Sequence, residues 1–261
     1  MHIGHTTRAA LVASILLMLI GLAIAQKETI SAKSLFYAPE TTAAPTLPGA
    51  AKTQPKTTTT HASGTMANGS GGSVTRASIS ANNPGLKFQL LKLMPDGSER
   101  PVDPSSTFRS GDRIRFVFES NTDGFLNIQQ QGSSGVWRVL FPDPNMNGGS
   151  NYISKGKKYL VPGQGSSFHF DRTPGVEHLT VYLSKSASKD LPGSDHPVMQ
   201  AMTVTQSVID QLRGEVRSRD LVFETDTAEA PDGSKLVEAT YVVNKQLQGQ
   251  AIFLTLDLKH Q

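Results

Sequence analysis

Between Phe108 and Lys185 short apolar runs alternate with turns of Gly, Asn, Asp, Ser and Pro, and this punctuation limits the fold more than anything else in the chain. Arg113–Glu119 carries the pattern most clearly. Ile114, Phe116 and Phe118 fall on one side of a pleat, and Arg113, Arg115 and Glu119 fall on the other. Successive side chains of a strand point to opposite faces, so this is the period of a half-buried strand. Further strands are expected at Leu86–Met94, Phe125–Gln131, Val136–Phe141, Lys158–Val161, Ser166–Asp171 and Val176–Ser184. Asp96-Gly97 marks a hairpin turn, and the Asn121–Gly124 turn offers residues suited to positive φ. Trp137 and Phe141 share a face by period 2 and are expected to anchor the core together.

Beyond Lys189 the period changes once. Val204, Val208, Ile209, Leu212 and Val216 recur at helical spacing, which predicts a helix over Thr205–Arg217. Strand patterns return at Arg219–Thr225, Lys235–Lys245 and Gln250–Lys259. Short strands following one another at intervals of about 8 to 12 residues describe a sandwich or a barrel. The expected fold is therefore mainly β, an antiparallel β-sandwich of immunoglobulin-like or related type with one short helix, built from residues 86–261.

The first 85 residues read differently. A short polar start with Arg8, an apolar stretch over Ala9–Ala25 and an Ala23-Ile-Ala25 ending describe a cleaved signal peptide over residues 1–25. The alternative is an uncleaved inner-membrane anchor over residues 9–25. Residues 26–85 are rich in Thr, Ala, Pro, Ser and Gly and hold too few large apolar residues to repay ordering, so they read as a disordered linker. Lys27–Tyr37, with Ile30, Leu35, Phe36 and Tyr37, reads as the start of that tether, though apolar enough for a short sticky peptide. The chain is thus expected to be exported, to the periplasm or beyond. It has no cysteine, which closes the routes to disulfides, Cys-based zinc sites and a lipid-modified terminus.

Charge narrows the partners. Of 25 basic and 22 acidic residues, six and two precede residue 86, which leaves 19 and 20 on the folded part. The formal net charge of +3 therefore belongs to the N-terminal region. A nucleic-acid partner needs a basic face on the fold, and none is expected.

Several motifs between Phe108 and Lys185 recur together: Ser110-Gly-Asp-Arg113, Asn121-x-Asp-Gly-Phe-Leu126, Gly135-Val-Trp-Arg-Val-Leu-Phe-Pro142, Val161-Pro-Gly163 and Pro174-Gly-x-Glu-His-Leu179. In this order they resemble the bacterial domain of unknown function family 4384. The resemblance implies a β-sandwich module, found beside kinase or caspase-like modules or alone behind a signal peptide. It implies an accessory or binding role and supplies no ligand and no catalytic residue.

The residues themselves offer two candidate sites. In Ser167-Phe-His-Phe-Asp171 the two Phe point inward, which puts His169 and Asp171 on the outer face, and His178 is on the outer face of the next strand. An antiparallel pairing across Arg172–Val176 would bring the three together, and two His with a carboxylate make a metal site. The plain alternative is three solvated polar residues. Tyr182 and Tyr152, with the Gln129–Gln131 run, form a candidate glycan- or peptide-binding face, and the plain alternative is that these aromatics are cross-strand packing pairs. Lys155, Lys157 and Lys158 read as a solvated turn, with an anion or glycan contact as the alternative. No nucleophile elbow and no phosphate loop occurs. The expected function is an exported, non-enzymatic accessory or binding module of the cell envelope. It would use no cofactor, bind an envelope protein or polymer, and touch the membrane only through an uncleaved N-terminus. The alternatives are a metal-binding protein or metal-dependent hydrolase using those His and Asp residues, and a membrane-held sensor ectodomain.

Overall fold

The alternating run at Arg113–Glu119 forms β4 (Arg113–Ser120), and its inward side chains Ile114, Phe116 and Phe118 are all buried. The computed structural model describes residues 31–39, 83–132, 134–231, 233, 235–246 and 249–261. The expected signal peptide and residues 40–82 of the expected linker lie outside them.

Two sheets pack face to face. In sheet A, β4 pairs with β1 (Gly85–Leu93) on one side and with β8 (Lys158–Val161) on the other. Beyond β1 lie β13 (Lys235–Asn244) and the edge strand β12 (Leu221–Glu229). Two short strands join at the side, β2 (Glu99–Pro101) on β1 and β9 (Phe168–His169) on β4. Sheet B runs β11 (Thr203–Val204), β6 (Trp137–Phe141), β5 (Gly124–Gln131), β10 (Gly175–Ser184), β14 (Ala251–His260) and β3 (Thr107–Phe108), with β7 (Tyr152–Ile153) on β5. All pairs are antiparallel except β14 with β3. The expected sandwich is the observed one. Its shared core holds Leu86, Phe88 and Leu90 of β1, Phe116 and Phe118 of β4, Leu126 and Ile128 of β5, Val181 and Leu183 of β10, and Ile252 and Leu254 of β14.

The expected helix is α2 (Gln206–Glu215), and it buries Ile209 and Leu212. It forms a third layer on the outer face of sheet B. There the Trp137 indole Nε1 donates to Gln206 Oε1 at 2.7 Å, and Arg213 lies 5.7 Å from the Phe253 ring centroid. A β-bulge at Ile128/Gln129 changes the expectation for Trp137 and Phe141. Phe141 stands opposite inward-facing Ile128, whereas Trp137 stands opposite Gln131, on the side of α2. An extra residue in one strand turns the side chains beyond it to the other face. Both aromatics are buried, but in different layers.

A second helix, unexpected from the sequence, lies in the stretch read as the start of the tether. α1 (Ala32–Phe36) packs on the outer face of sheet A, where Ala32 and Phe36 join Ala239, Tyr241 and Val243 in a small cluster of their own. Glu224 of β12 accepts from the Ser31 hydroxyl and, at 2.9 Å, from the Lys33 amide. The Lys33 ammonium lies 2.7 Å from Asp226. The Ser31 hydroxyl bond, then the Lys33 amide, hold the Glu224 carboxyl below its ordinary range.

The turns carry their own logic. Asp112 accepts from the Arg109 amide at 3.0 Å, which closes the Ser110-Gly-Asp turn. Asn121 and Gly124 do not adopt positive φ. Asn121 instead ties the end of β4 to the start of β1, with its Oδ1 accepting from Gly85 N at 2.6 Å. A Cβ on Gly124 would lie 2.6 Å from the Ser184 carbonyl oxygen, so that glycine is there for close strand approach. Gly149 combines both demands: φ is +77° and a Cβ would overlap the Val198 carbonyl oxygen. Gly97 has φ of +83° with open space around it. The pair separates backbone strain from steric overlap. Gly97→Ala is expected to cost about 1–2 kcal/mol and Gly149→Ala about 3 kcal/mol or more, measured by denaturant unfolding. Equal losses at the two sites would refute the tight docking of Val198 on Gly149.

Candidate functional site

The outer face of sheet B, where a binding surface was expected, is covered. Tyr182 is buried beneath α2, and its hydroxyl donates to Glu215 Oε2 at 2.5 Å. Burial, and then the bond to Glu215, push its phenol well above the ordinary range. Gln129 is fully buried, with Oε1 accepting from Thr180 Oγ1 at 2.7 Å and Nε2 left without a partner. Neither residue is free for a ligand, because the helix and the Leu191–Val198 loop seal the face that the strand alternation leaves polar. Asn127 Nδ2 donates to the Pro192 carbonyl at 3.0 Å, and Asn151 Nδ2 donates to Asn127 Oδ1 at 2.9 Å. Tyr152 remains exposed, edge-on to Phe125, and Lys157 remains exposed, 5.0 Å from the Tyr159 ring centroid.

His169, Asp171 and His178 are not brought together. β9 joins sheet A through β4, whereas β10 lies between β5 and β14 in sheet B, so the expected hairpin across Arg172–Val176 does not form. His178 instead pairs across the sheet with Asp257, Nδ1 to Oδ1 at 2.8 Å. Asp171 Oδ1 accepts from the Thr173 amide at 2.7 Å in a local turn. Among the described residues no group of three His, Asp or Glu side chains is placed to hold a metal ion.

What the topology does create is a cleft of about 390 Å³ between the two sheets, at the edge where β9 faces β6. Its floor is apolar: Ile114 and Phe116 from β4, Leu140 from β6, Leu179 from β10 and Leu258 from β14. Its polar lining is Gln130, Arg138, Ser167, His169, Asp171 and Glu177. An adjoining hollow shares Gln130, Arg138, Asp171 and Glu177 and extends the cleft toward Ser134 and Val136. Glu177 Oε2 accepts from Gln130 Nε2, and its other oxygen lies 3.6 Å from Nε2 of buried His260. The His260 ring packs against Phe170 at 5.1 Å between centroids, and its Nδ1 has no partner. Arg138 is exposed, and among the described residues its guanidinium is in no ion pair or side-chain hydrogen bond.

Residues 107–187 match the family of domains of unknown function DUF4384. No curated protein and no solved structure matches the chain. The DUF4384 segment supplies every cleft residue named above except Leu258 and His260. The match coincides with the resemblance carried by the turn and strand motifs, and those motifs frame the cleft: Gly135–Pro142 contains Arg138 and Leu140, and Pro174–Leu179 contains Glu177.

The sequence reading put Gln130 on the outer face, within the Gln129–Gln131 run, and missed Arg138 and Glu177, although the signal for Gln130 and Glu177 is in the alternation. Leu126 and Ile128 face inward, and the next inward position is Gln130. Leu183, Val181 and Leu179 face inward, and the next is Glu177. Polar residues at inward positions of two paired strands mark the place where the core opens. Arg138 was hidden by the bulge.

The burial of Tyr182 has a measurable consequence. Tyr182→Phe is expected to cost about 1.5–3 kcal/mol near neutral pH, the worth of a hydrogen bond to a charged group. The unfolded phenol ionises near pH 10, whereas the folded one stays protonated above that, so its contribution is full below pH 10 and falls as the pH rises further. The stability gap between wild type and variant should therefore stay constant up to about pH 9 and narrow as the pH rises above about 10, read by denaturant unfolding. A gap independent of pH would show that the phenol is not buried as described.

Proposed function

We propose that this chain is an exported, non-catalytic binding module of the bacterial cell envelope, and that the cleft between the sheets is its ligand site. The observation that carries the reading is the cleft's composition. An apolar floor meets a few convergent polar groups, which is the usual make-up of a binding pocket. Within it the two carboxylates are engaged, Glu177 by Gln130 and Asp171 by the Thr173 amide, while Arg138 presents a free cation. That arrangement suits a partner segment that sets an apolar group on Leu140 and Leu179 and a carboxylate or other anion against Arg138. Ser167, His169 and Asp171 also line the cleft, but among the described residues no hydrogen bond joins them, so they form no relay for acyl transfer. The signal-peptide pattern and the linker composition support export and tethering, and a tethered head reaches its partner by diffusion of the linker.

The test is capture of envelope components by the chain beginning at Gln26, using wild type, Arg138→Glu and, as a control outside the cleft, Arg172→Glu. Capture is expected to fall at least about tenfold for Arg138→Glu, corresponding to about 1.4 kcal/mol, and to stay unchanged for Arg172→Glu. Equal capture by all three variants, or none by the wild type, would remove the cleft as the binding site. An intact mass beginning at Gln26 in the exported fraction tests the export part separately.

A further inference from the structure

The docked segment Ser31–Tyr37 belongs neither to the cleft nor to the main core. Its buried side chains, Ala32 and Phe36, contact only the outer face of sheet A, in a cluster separate from the core between the sheets. Forty-three residues, 40–82, separate it from the described start of the sandwich at Asn83. A helix of five residues has no stability of its own in water, so its form is imposed by the surface that receives it. That surface is built like a peptide-recognition site. Phe36 is the aromatic anchor, edge-on to Tyr241 with centroids 5.6 Å apart. Glu224 reads the Ser31 hydroxyl and the Lys33 amide, and Asp226 reads the Lys33 ammonium. On the far side Lys87 donates to the Tyr37 hydroxyl at 3.1 Å.

We propose that the outer face of β12, β13 and β1 is a docking site for a short helical turn of the pattern Ser-x-Lys-x-x-Phe-Tyr, and that residues 31–37 of the same chain occupy it as a releasable latch. The occupant is assigned to the chain itself because it is seated there, and because its cation meets Asp226 of β12 while Glu224 accepts from its Ser31 hydroxyl and Lys33 amide. Because it belongs to the same chain, the segment competes at an effective concentration on the order of millimolar, far above that of a free competitor. The consequence concerns reach. With the latch seated, four residues lie between Gln26 and the docked segment; with it released, residues 27–82 lie between Gln26 and the head. The latch therefore sets how far the head stands from its own N-terminus, whatever the cleft binds.

The experiment uses the chain beginning at Gln26 and a fluorescent synthetic peptide of residues 27–39, with binding read by anisotropy. The Phe36→Ala chain, whose own latch is weakened, is expected to bind the peptide saturably and at least about tenfold more tightly than the wild-type chain, whose seated segment competes. Adding Glu224→Ala to the Phe36→Ala chain is expected to abolish that binding. Thermal unfolding of both variants verifies that the head is intact. No binding to an intact Phe36→Ala chain, or binding equal to the wild type, overturns the proposal. A second arm does not depend on these variants: wild-type chain cut at a protease site inserted within residues 40–82. Its 26–39 fragment is expected to co-elute with the head at high concentration and to leave on dilution. A fragment that never dissociates, or one that never co-elutes, overturns releasable docking. A wild-type chain that is dimeric by light scattering, with segments exchanged between copies, overturns the assignment to the same chain.

Discussion

The structure depends on β10 being buried on both faces. Six consecutive residues, Leu179–Ser184, are out of solvent in an antiparallel strand, where a half-solvated alternation is the commoner case. Leu179, Val181 and Leu183 meet sheet A. Thr180, Tyr182 and Ser184 lie beneath the third layer of α2 and the Leu191–Val198 loop. Burying polar groups costs free energy unless they find partners, and most find them here: Thr180 with Gln129, and Tyr182 with Glu215. The neighbouring strand repeats the arrangement with Asn127 and Asn151. The outer layer is thus held by hydrogen bonds as much as by the apolar contacts of Ile209, Leu212 and Trp137. Such an interface fixes the position of the helix more sharply than a purely apolar one.

This double burial explains which parts of the molecule were legible in the sequence. Strand positions were legible because period 2 and turn residues report on local geometry. Sheet partners were not, because Phe168–His169 and Gly175–Ser184 are neighbours in sequence and members of different sheets. The inner face was legible because apolar residues mark it. The outer face of β10 was misread because Tyr182 and Thr180 carry polar atoms, and polarity in an alternating strand signals solvent unless another layer arrives from a distance of some 25 residues. The shared face expected for Trp137 and Phe141 failed for a single reason, one extra residue at the bulge. The cleft was half legible: Gln130 and Glu177 occupy inward positions, whereas Arg138 owes its direction to that bulge.

The N-terminal segment shows the limit of composition as a guide. Averaged over residues 26–85, the chain is polar and rich in small residues, and that average reads as a linker. Docking depends on a few residues, not on the average. Phe36 supplies the apolar contact, and Ser31 and Lys33 supply polar contacts to β12. The receiving surface was equally hidden, since Tyr241, Ala239 and Val243 form one face of a strand whose other face, with Val242, enters the main core. A strand apolar on both faces belongs in the interior of a protein or under a covering element, and in β13 the covering element is the chain's own N-terminal turn.

The segment that matches DUF4384 holds strands of both sheets but not the whole of either. It contributes β3 to β10, but β4 needs β1 from before it to continue sheet A, and β3 is held to sheet B only through β14 from after it. The flanking strands therefore complete both sheets, and α2 covers a face that the segment leaves polar. The cleft shows the opposite dependence. Nearly all of its lining comes from within the segment, and the flanks contribute Leu258 to its floor and His260 behind Glu177. A segment that shares its framework with the flanks while supplying its own cleft can change its covering elements without disturbing the residues that line the cleft. The latch lies on the outer face of sheet A, over strands β12 and β13 that lie outside the segment. None of the latch contacts involves a residue that lines the cleft, so on the proposed reading the two surfaces act independently.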